Sequence, residues 1–342
     1  MIFEENVSLA PLTTLKVGGP ARYFAQPRDV EELKATLERA GSQDLAVFIL
    51  GGGSNVVISD EGFDGVVIRA AFLGVEFEFR DGLTRVSAGA GENWDTFVES
   101  CVKMELAGLE ALSGIPGLVG GTPIQNVGAY GQDVSETILS VECFDRESRS
   151  LETFSNADCR FKYRESIFNT THRSRYVILK VNFELKQNGK PKIAYRDLIE
   201  RFDGRDASLA EVRAAVIEIR RSKSMVIDAD DPNSRSAGSF FKNPIVEREA
   251  YDAIAAKFDK VPMFPAENNR VKIPAAWLIE NAGFQKGYRI GGAGISSRHP
   301  LAIINADQAT AAEIIALKEM IQKAVSEQFS IDLTPEPIFV GF

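Results

Sequence analysis

The length and composition of the chain are those of a folded protein with two or three domains: 342 residues, of which 44% are apolar and 25% are charged. They exclude a disordered or fibrous protein. The formal net charge is −9 and the basic residues are scattered, so we expect no nucleic-acid partner and no membrane partner. An anionic ligand must then be bound locally, by particular arginines or backbone amides.

The residue types available for chemistry are few. The three cysteines lack CxxC spacing, which argues against a disulfide framework and a zinc site. His172 and His299 are too few for a histidine metal site, so no metal is expected. The N-terminus has no signal-peptide pattern and no apolar run is long enough to span a bilayer. We therefore expect a cytoplasmic protein, and we take a monomer as its expected state.

The first predicted elements lead into a glycine-rich loop. Apolar spacing predicts a helix at 29–40 and a buried strand at 45–50. In the loop that follows, Gly51-Gly52-Gly53-Ser54-Asn55, the backbone can bring N–H groups close to phosphate oxygens. The loop matches neither the GxGxxG dinucleotide pattern nor a Walker loop. A flexible hairpin turn is the alternative interpretation.

A second glycine-rich segment follows strands predicted at 73–79 and 83–88 and a helix predicted at 93–104. Residues 113–131 hold six glycines and two prolines in nineteen positions, which excludes a regular helix or a central strand. Its exposed N–H groups, small side chains, Gln125 and Asn126 can follow a long polar ligand. Two such loops predict a cofactor that carries a pyrophosphate.

Helical patterns recur in the C-terminal half. Residues 157–168 are predicted to be helical, and Arg164 among them would by itself be interpreted as a surface arginine. Further helices are predicted at 249–258, 275–282 and 310–329. The last of these opens with a capping box formed by Thr310 and Glu313.

Two polar side chains lie in restricted settings. Ser239 follows Gly238 and precedes two phenylalanines, which fits either a turn before a short strand or a hydroxyl held for chemistry. Glu336 lies between two prolines and fits either a fixed acid or a solvated turn.

Taken together, seven segments in chain order resemble the UDP-N-acetylenolpyruvoylglucosamine reductases, flavoenzymes of bacterial peptidoglycan precursor synthesis often called MurB. The resemblance covers nearly the whole chain, and the order of the segments makes it specific. The segments lie at 14–19 (TLKVGG), 50–55 (LGGGSN), 114–117 (GIPG), 123–131 (PIQNVGAYG), 163–166 (YRES), 238–244 (GSFFKNP) and 335–336 (PE).

The resemblance implies an α+β fold. It consists of a two-lobed FAD-binding portion of the vanillyl-alcohol-oxidase (PCMH) type and an α+β substrate-binding domain. We place the two lobes at 1–70 and 71–222 and the substrate domain at 223–330. The last strand, within 331–342, is expected to pack back on the flavin lobes.

The resemblance also implies non-covalent FAD as cofactor and NADPH as hydride donor, in the reduction of UDP-N-acetylglucosamine enolpyruvate to UDP-N-acetylmuramate. Addition of hydride to the vinyl carbon pushes negative charge into the substrate carboxylate. Arg164 matches the family's arginine that stabilises this charge, Glu336 matches its acidic partner, and Ser239 matches the proton donor.

The remaining matches are binding residues. By resemblance, FAD lies along the two glycine-rich loops, and its contacts are Gly51, Gly52, Gly53, Ser54, Asn55, Pro116, Gly117, Gly120, Gly121, Thr122, Gln125, Asn126, Gly128, Ala129 and Tyr130. The positions expected to contact the sugar nucleotide are Tyr163, Tyr195, Arg220, Lys223 and Asn243. The chain departs from many relatives in two places: an acidic loop at 224–235, and Ile338 where a basic residue is common.

Two other functions remain open at this point. One is a flavin oxidase or dehydrogenase of the same fold that acts on a sugar or hydroxy acid. Many such oxidases tether flavin through a histidine, and neither histidine lies in a glycine-rich loop. The other is a non-catalytic flavin or UDP-sugar binding module, which would leave the coexistence of Ser239, Arg164 and Glu336 without a reason.

Overall fold

The computed structural model describes residues 3–342, which group into two compact units. The first unit holds the chain up to Val7 together with Ala21–Gly53 and Phe63–Val226. The second unit holds Ser8–Pro20, Ser54–Gly62 and Ile227–Phe342. The predicted division into lobes at 1–70 and 71–222 and a substrate domain at 223–330 stays a prediction, since the lobes are not resolved by this grouping.

The strands are mostly short. In chain order they are β1 (Glu4–Ser8), β2 (Pro20–Ala25), β3 (Ala46–Ile49), β4 (Val56–Ile58), β5 (Phe63–Ile68), β6 (Val75–Arg80), β7 (Leu83–Gly89), β8 (Leu106–Ala107), β9 (Gly128–Ala129), β10 (Gln132–Asp133), β11 (Ile138–Asp145), β12 (Leu151–Ser155), β13 (Tyr176–Gln187), β14 (Ile245–Val246), β15 (Phe264–Pro265), β16 (Val271–Lys272), β17 (Arg289–Ile290), β18 (Ala293–Ile295), β19 (Ile303–Asn305) and β20 (Ile338–Val340).

The α-helices begin at polar caps where the sequence offers them. They are α1 (Val30–Ser42), α2 (Trp94–Lys103), α3 (Arg196–Phe202), α4 (Leu209–Ser222), α5 (Arg248–Ala255), α6 (Ala275–Asn281) and α7 (Ala311–Phe329). Asp29 and Asn93 accept the N3 amide of α1 and α2, and the Thr310–Glu313 capping box opens α7 as predicted.

Two large sheets form most of the first unit, which also holds the two-stranded pair β9-β10. A four-stranded sheet has the order β1-β2-β5-β3, in which β5 pairs in parallel with both β2 and β3. A larger antiparallel sheet has the order β12-β11-β13-β7-β6, with β8 added to β13. Helix α2 packs beside the larger sheet through Trp94 and Phe97, which lie against Phe183 of β13. This core fixes the first turn of α2, on which the glycine-rich loops depend.

The second unit surrounds helix α7. Its buried face carries Ile314, Leu317, Ile321 and Val325, all at most 1% exposed. Small sheets flank it, with the orders β14-β16-β15 and β17-β18-β19, and β20 pairs in parallel with β4. The same core includes Phe240 and Phe241, which adjoin Ser239. The position of Ser239 is therefore determined by the packing of its neighbours.

The predicted helix at 157–168 is wrong. This segment folds into turns, with Lys162 and Glu165 exchanging backbone hydrogen bonds of 2.9 and 3.2 Å. Arg160 and Arg164 both have positive φ, 49° and 58°, which a right-handed helix cannot accommodate. Arg164 thus projects from a turn and not from a helix.

Among residues 3–342, no helix combines the length and apolar character needed to cross a bilayer.

A buried carboxylate closes the end of the larger sheet. Asp145 is 0% exposed, and its oxygens accept hydrogen bonds from Arg175 (2.6 and 3.1 Å), the Glu147 amide (2.9 Å) and the Ser148 hydroxyl (2.9 Å). The Arg175 hydrogen bonds, opposed by burial, hold the pKa of Asp145 well below its usual range.

We expect Asp145→Asn to lower the melting temperature by roughly 5–10 °C at pH 7. A depressed folded-state pKa stabilises the protein above the unfolded pKa of about 3.9, and this contribution is lost as the pH falls through the folded value. The difference in melting temperature between wild type and variant should therefore be constant above about pH 5 and shrink below about pH 4. A difference that stays constant down to pH 3 would contradict this assignment.

Candidate active site

The two glycine-rich loops meet backbone to backbone in the first unit. A Cβ added to Gly52 would lie 2.5 Å from the Cα of Gly117, closer than any real Cβ contact. In the same way, a Cβ on Gly120 would lie 2.6 Å from the Cβ of Ala90. A side chain at Gly52 or Gly120 would therefore collide with a neighbouring segment of the protein. The loops approach as closely as glycine permits.

The same loops present unused donors. Among residues 3–342, no protein group accepts a hydrogen bond from the backbone N–H of Gly51, Gly52 or Gly117. Gly51 and Gly121 also have open space where a side chain would begin. Grouped N–H donors beside open space, on backbone without side chains, fit the phosphate oxygens of a dinucleotide cofactor. The residues present thus fit FAD at the predicted loops.

Other predicted cofactor contacts are used inside the protein. The Thr122 hydroxyl, 3% exposed, donates to the Val119 carbonyl at 2.8 Å. The Asn126 side chain is 4% exposed, donates to the Lys162 carbonyl and accepts from the Ser135 amide, both at 3.1 Å. These two side chains hold the loop in shape. The backbone of Thr122 is used in the same way, since its amide donates to the Val119 carbonyl and its carbonyl accepts from the Val127 amide, both at 3.0 Å.

Arg164 is held by the second loop. Its Nη2 donates to the Gly128 carbonyl at 2.7 Å, and its guanidinium carbon lies 5.3 Å from the ring centre of Tyr163. This carbonyl contact orients the planar guanidinium group, whose geometry suits a carboxylate. Its positive φ, on a non-glycine residue, is a backbone feature often found at functional sites.

A cluster of aromatic and basic side chains lies beside the end of the same loop. The rings of Tyr130 and Tyr195 meet edge to face at 5.4 Å, and Tyr195 is 43% exposed at the start of α3. Arg220 donates to the carbonyls of Gly114 (3.1 Å) and Met225 (2.7 Å). Burial raises the pKa of Tyr130, against the opposing charges of Arg220 and Lys223, so its hydroxyl keeps a proton to donate at neutral pH.

Lys223 has a carboxylate partner that the sequence pattern did not reveal. Its Nζ lies 2.9 Å from Oδ2 of Asp197, which is on the first turn of α3, two residues after Tyr195. A diphosphate bound by Lys223 would compete with this ion pair. Helix α3 was not predicted from the sequence, so no local pattern indicated the ion pair between Lys223 and Asp197.

Ser239 and Glu336 are brought together in the second unit. The Glu336 amide donates to the Phe240 carbonyl at 2.9 Å, and the Phe240 amide donates to the Leu301 carbonyl at 2.8 Å. Asn55 adds a hydrogen bond from its side-chain nitrogen to the Glu336 carbonyl at 3.2 Å. Ser239 thus lies one residue from a backbone contact with the predicted acid, although the two are far apart in the chain.

The Ser239 hydroxyl is half-buried, and no group within residues 3–342 forms a hydrogen bond with it. Asn243, four residues on, accepts the Ala275 amide of α6 at 2.9 Å through its oxygen, which leaves its NH₂ group for a ligand. Both side chains are positioned by backbone bonds of a packed unit. Arg164, Tyr163, Tyr195, Arg220 and Lys223 belong to the first unit; Ser239, Asn243 and Glu336 belong to the second.

Comparison with known proteins finds two family models that match separate parts of the chain. A family model for an FAD-binding domain matches residues 21–153, and one for the C-terminal domain of UDP-N-acetylenolpyruvoylglucosamine reductase matches residues 230–340. The enzyme of that name from Thermobifida fusca is 44% identical, over 99% of this chain and 98% of its own. The enzyme of that name from Saccharopolyspora erythraea is 43% identical, over 97% of this chain and 94% of its own.

A solved structure covers the whole fold. The crystal structure of the UDP-N-acetylenolpyruvylglucosamine reductase from Thermus caldophilus aligns with 99% of this chain and 100% of that one, with a TM-score of 0.66 and 28% identity. These matches define an FAD-containing oxidoreductase and confirm the predicted α+β fold with an FAD-binding portion of the vanillyl-alcohol-oxidase type. The chain belongs to the UDP-N-acetylenolpyruvoylglucosamine reductase family.

Replacing Gly52 tests the close approach of the loops. Gly52→Ala must push Gly117 away, so we expect FAD to bind at least about tenfold more weakly, a loss equivalent to one good hydrogen bond. Gly41→Ala, on open surface near the end of α1, is the matched control and should bind FAD like the wild type. The measurement is a fluorescence titration of apoprotein with FAD. Equal affinities for the two variants would show that the loops do not hold the cofactor.

Proposed function

We propose that this protein reduces UDP-N-acetylglucosamine enolpyruvate to UDP-N-acetylmuramate, with FAD as cofactor and NADPH as hydride donor, in peptidoglycan precursor synthesis. The observation that carries the proposal is the match of the whole chain to reductases of this name, at 44% identity. The structure supports it with glycine-rich loops suited to a dinucleotide and with a backbone hydrogen bond between Glu336 and Phe240, the residue after Ser239.

FAD, when bound, supplies the hydride chemistry that links NADPH to the vinyl carbon of the substrate. The residues of the chain supply geometry and charge. Arg164 is the proposed partner of the substrate carboxylate, because its planar guanidinium group is oriented by the Gly128 carbonyl and suits a carboxylate. Negative charge that develops on the carboxylate is then stabilised by a group already in place.

Ser239 is the proposed proton donor. Its hydroxyl is held between Gly238, with a φ of 74°, and buried Phe240, and is not committed to another protein group in the described part of the chain. A neutral hydroxyl is a weak acid in water. It can transfer a proton here because the carbon it meets is strongly basic after hydride addition.

Glu336 is the proposed acidic partner at the same carboxylate. Its backbone is fixed on both sides of the residue, by Phe240 through the amide and by Asn55 through the carbonyl. The flanking prolines restrict the chain further. With its backbone held in this way, the carboxyl group of Glu336 is proposed to act as a hydrogen-bond donor in its protonated form.

The sugar nucleotide is proposed to contact Tyr163, Tyr195, Arg220, Lys223 and Asn243. Tyr163 and Tyr195 are 39% and 43% exposed, so both rings are accessible to a ligand. The NH₂ group of Asn243 and the ammonium of Lys223 suit phosphate or sugar oxygens. The predicted cytoplasmic location and monomeric state belong to this proposal; NADPH and UDP-sugars, as cytoplasmic nucleotides, support the first, and light scattering tests the second.

Ser239→Ala separates the two half-reactions. The hydroxyl is needed only after hydride has reached the substrate, so reduction of FAD by NADPH should stay within about twofold of wild type. Reoxidation by the sugar nucleotide should slow by about 10²–10⁴, the typical loss of a positioned acid. Rapid-mixing spectra at the flavin band follow each step.

The matched control is Ser326→Ala, on helix α7 in the same unit. It should leave both half-reactions unchanged. If Ser239→Ala reoxidised at the wild-type rate, the hydroxyl would not be the donor. If it failed at flavin reduction instead, Ser239 would have a structural role.

Tyr195→Phe tests the substrate contacts. The phenol lies at the start of α3, and removing its hydroxyl should raise the Michaelis constant for the sugar nucleotide about tenfold, with a change of about twofold or less for NADPH. Steady-state kinetics with each substrate varied in turn give both constants. An equal effect on the two would remove Tyr195 from the sugar-nucleotide site.

A further inference from the structure

The peptide of Gly114 is held from both sides. Its N–H donates to Oδ1 of Asp95 at 2.6 Å, and its carbonyl accepts from Nε of Arg220 at 3.1 Å. Gly114 has a φ of 71°, so its conformation favours glycine and needs such support. It is also the first residue of the GIPG segment, three positions before Gly117.

The first turn of α2 holds this segment at three points. The indole N–H of Trp94 donates to the Leu112 carbonyl at 3.0 Å, and the Trp94 amide donates to the Gly117 carbonyl at 3.1 Å. The Asp95 carboxylate accepts from Gly114 between them. Trp94 is 1% exposed and packed on the larger sheet, so the helix end is a rigid support.

A second helix orients the carboxylate. Arg213 of α4 donates from Nη1 to Oδ1 at 2.6 Å and from Nη2 to Oδ2 at 2.9 Å, and its side chain is 12% exposed. Two parallel bonds fix the plane of a carboxylate. Burial raises the pKa of Asp95, but the hydrogen bonds from Arg213 and Gly114 outweigh it and the net pKa is lowered, so the group is ionised at neutral pH.

We propose that Asp95 is a positioning residue for FAD binding: its carboxylate fixes the Gly114 peptide and thereby places Gly117 against Gly52 with its N–H available to the cofactor. This proposal rests on the proposed function only in taking the two loops as the FAD site. It differs from a plain ion pair joining α2 and α4, because it assigns the effect on FAD to the Asp95–Gly114 bond.

Two variants separate the positioning bond from the ion pair. Arg213→Met removes the ion pair and leaves Asp95 able to accept from Gly114. Asp95→Glu keeps the charge and the partner, but its longer side chain displaces the carboxylate from Gly114. Asp95→Ala removes both interactions.

The experiment is a fluorescence titration of each apoprotein with FAD, together with its melting temperature. We expect Asp95→Glu and Asp95→Ala to bind FAD about tenfold or more weakly, the loss expected for one hydrogen bond to a charged acceptor. Arg213→Met should stay within about threefold of wild type, although its melting temperature falls. If Asp95→Ala does not fold, the FAD affinities of Asp95→Glu and Arg213→Met are compared to test the proposal.

If FAD binding weakened as much in Arg213→Met as in Asp95→Glu, the proposal would be overturned, because the effect on FAD would then come from the ion pair between α2 and α4. Wild-type affinity in Asp95→Glu would overturn it as well. A different result would contradict the proposed function: wild-type apoprotein that binds no FAD, or that binds FAD but does not oxidise NADPH with the enolpyruvyl sugar nucleotide.

Discussion

The contact of Gly52 with Gly117 is the constraint on which the proposed cofactor site depends. Two backbone segments from distant parts of the first unit approach until no side chain fits between them. One follows β3 of the parallel sheet, and the other is held by the first turn of α2. A shift of either sheet or helix would separate the loops, so much of the core of this unit serves to keep them in place.

The second unit carries the Ser239 hydroxyl and the Glu336 carboxyl group on backbone that is fixed by packing and hydrogen bonds. Burial of Phe240 and Phe241 fixes the chain on the C-terminal side of Ser239. Backbone bonds from Phe240 to both Glu336 and Leu301 set the register. The backbone that carries the side chains proposed for chemistry is therefore held in place by the packed unit before a substrate enters.

Local signals in the sequence predicted part of this arrangement. Apolar spacing and capping residues located α1, α2, α5, α6 and α7, and glycine content located both glycine-rich loops. The helix predicted at 157–168 was wrong. The apolar spacing of this segment resembles that of a helix, but the positive φ of Arg160 and Arg164 cannot be recognised from the spacing of apolar residues. Helix α4 was missed although Ser208 and Glu211 form a capping box at its start.

Long-range pairs could not be predicted from local patterns. Asp95 and Arg213 are 118 positions apart, and neither lies in a motif. The neighbourhood of Ser239 and Glu336 was expected only through resemblance to a family. Such pairs depend on how helices and strands pack, and a single sequence does not record that packing.

The central claim, an FAD-dependent reductase of an enolpyruvyl sugar nucleotide, is tested most directly by NADPH oxidation with purified protein under anaerobic conditions. The account predicts a yellow protein that oxidises NADPH in an amount equal to the UDP-N-acetylglucosamine enolpyruvate added, and then stops. NADPH left unconsumed by a flavin-loaded protein in the presence of this sugar nucleotide would contradict it.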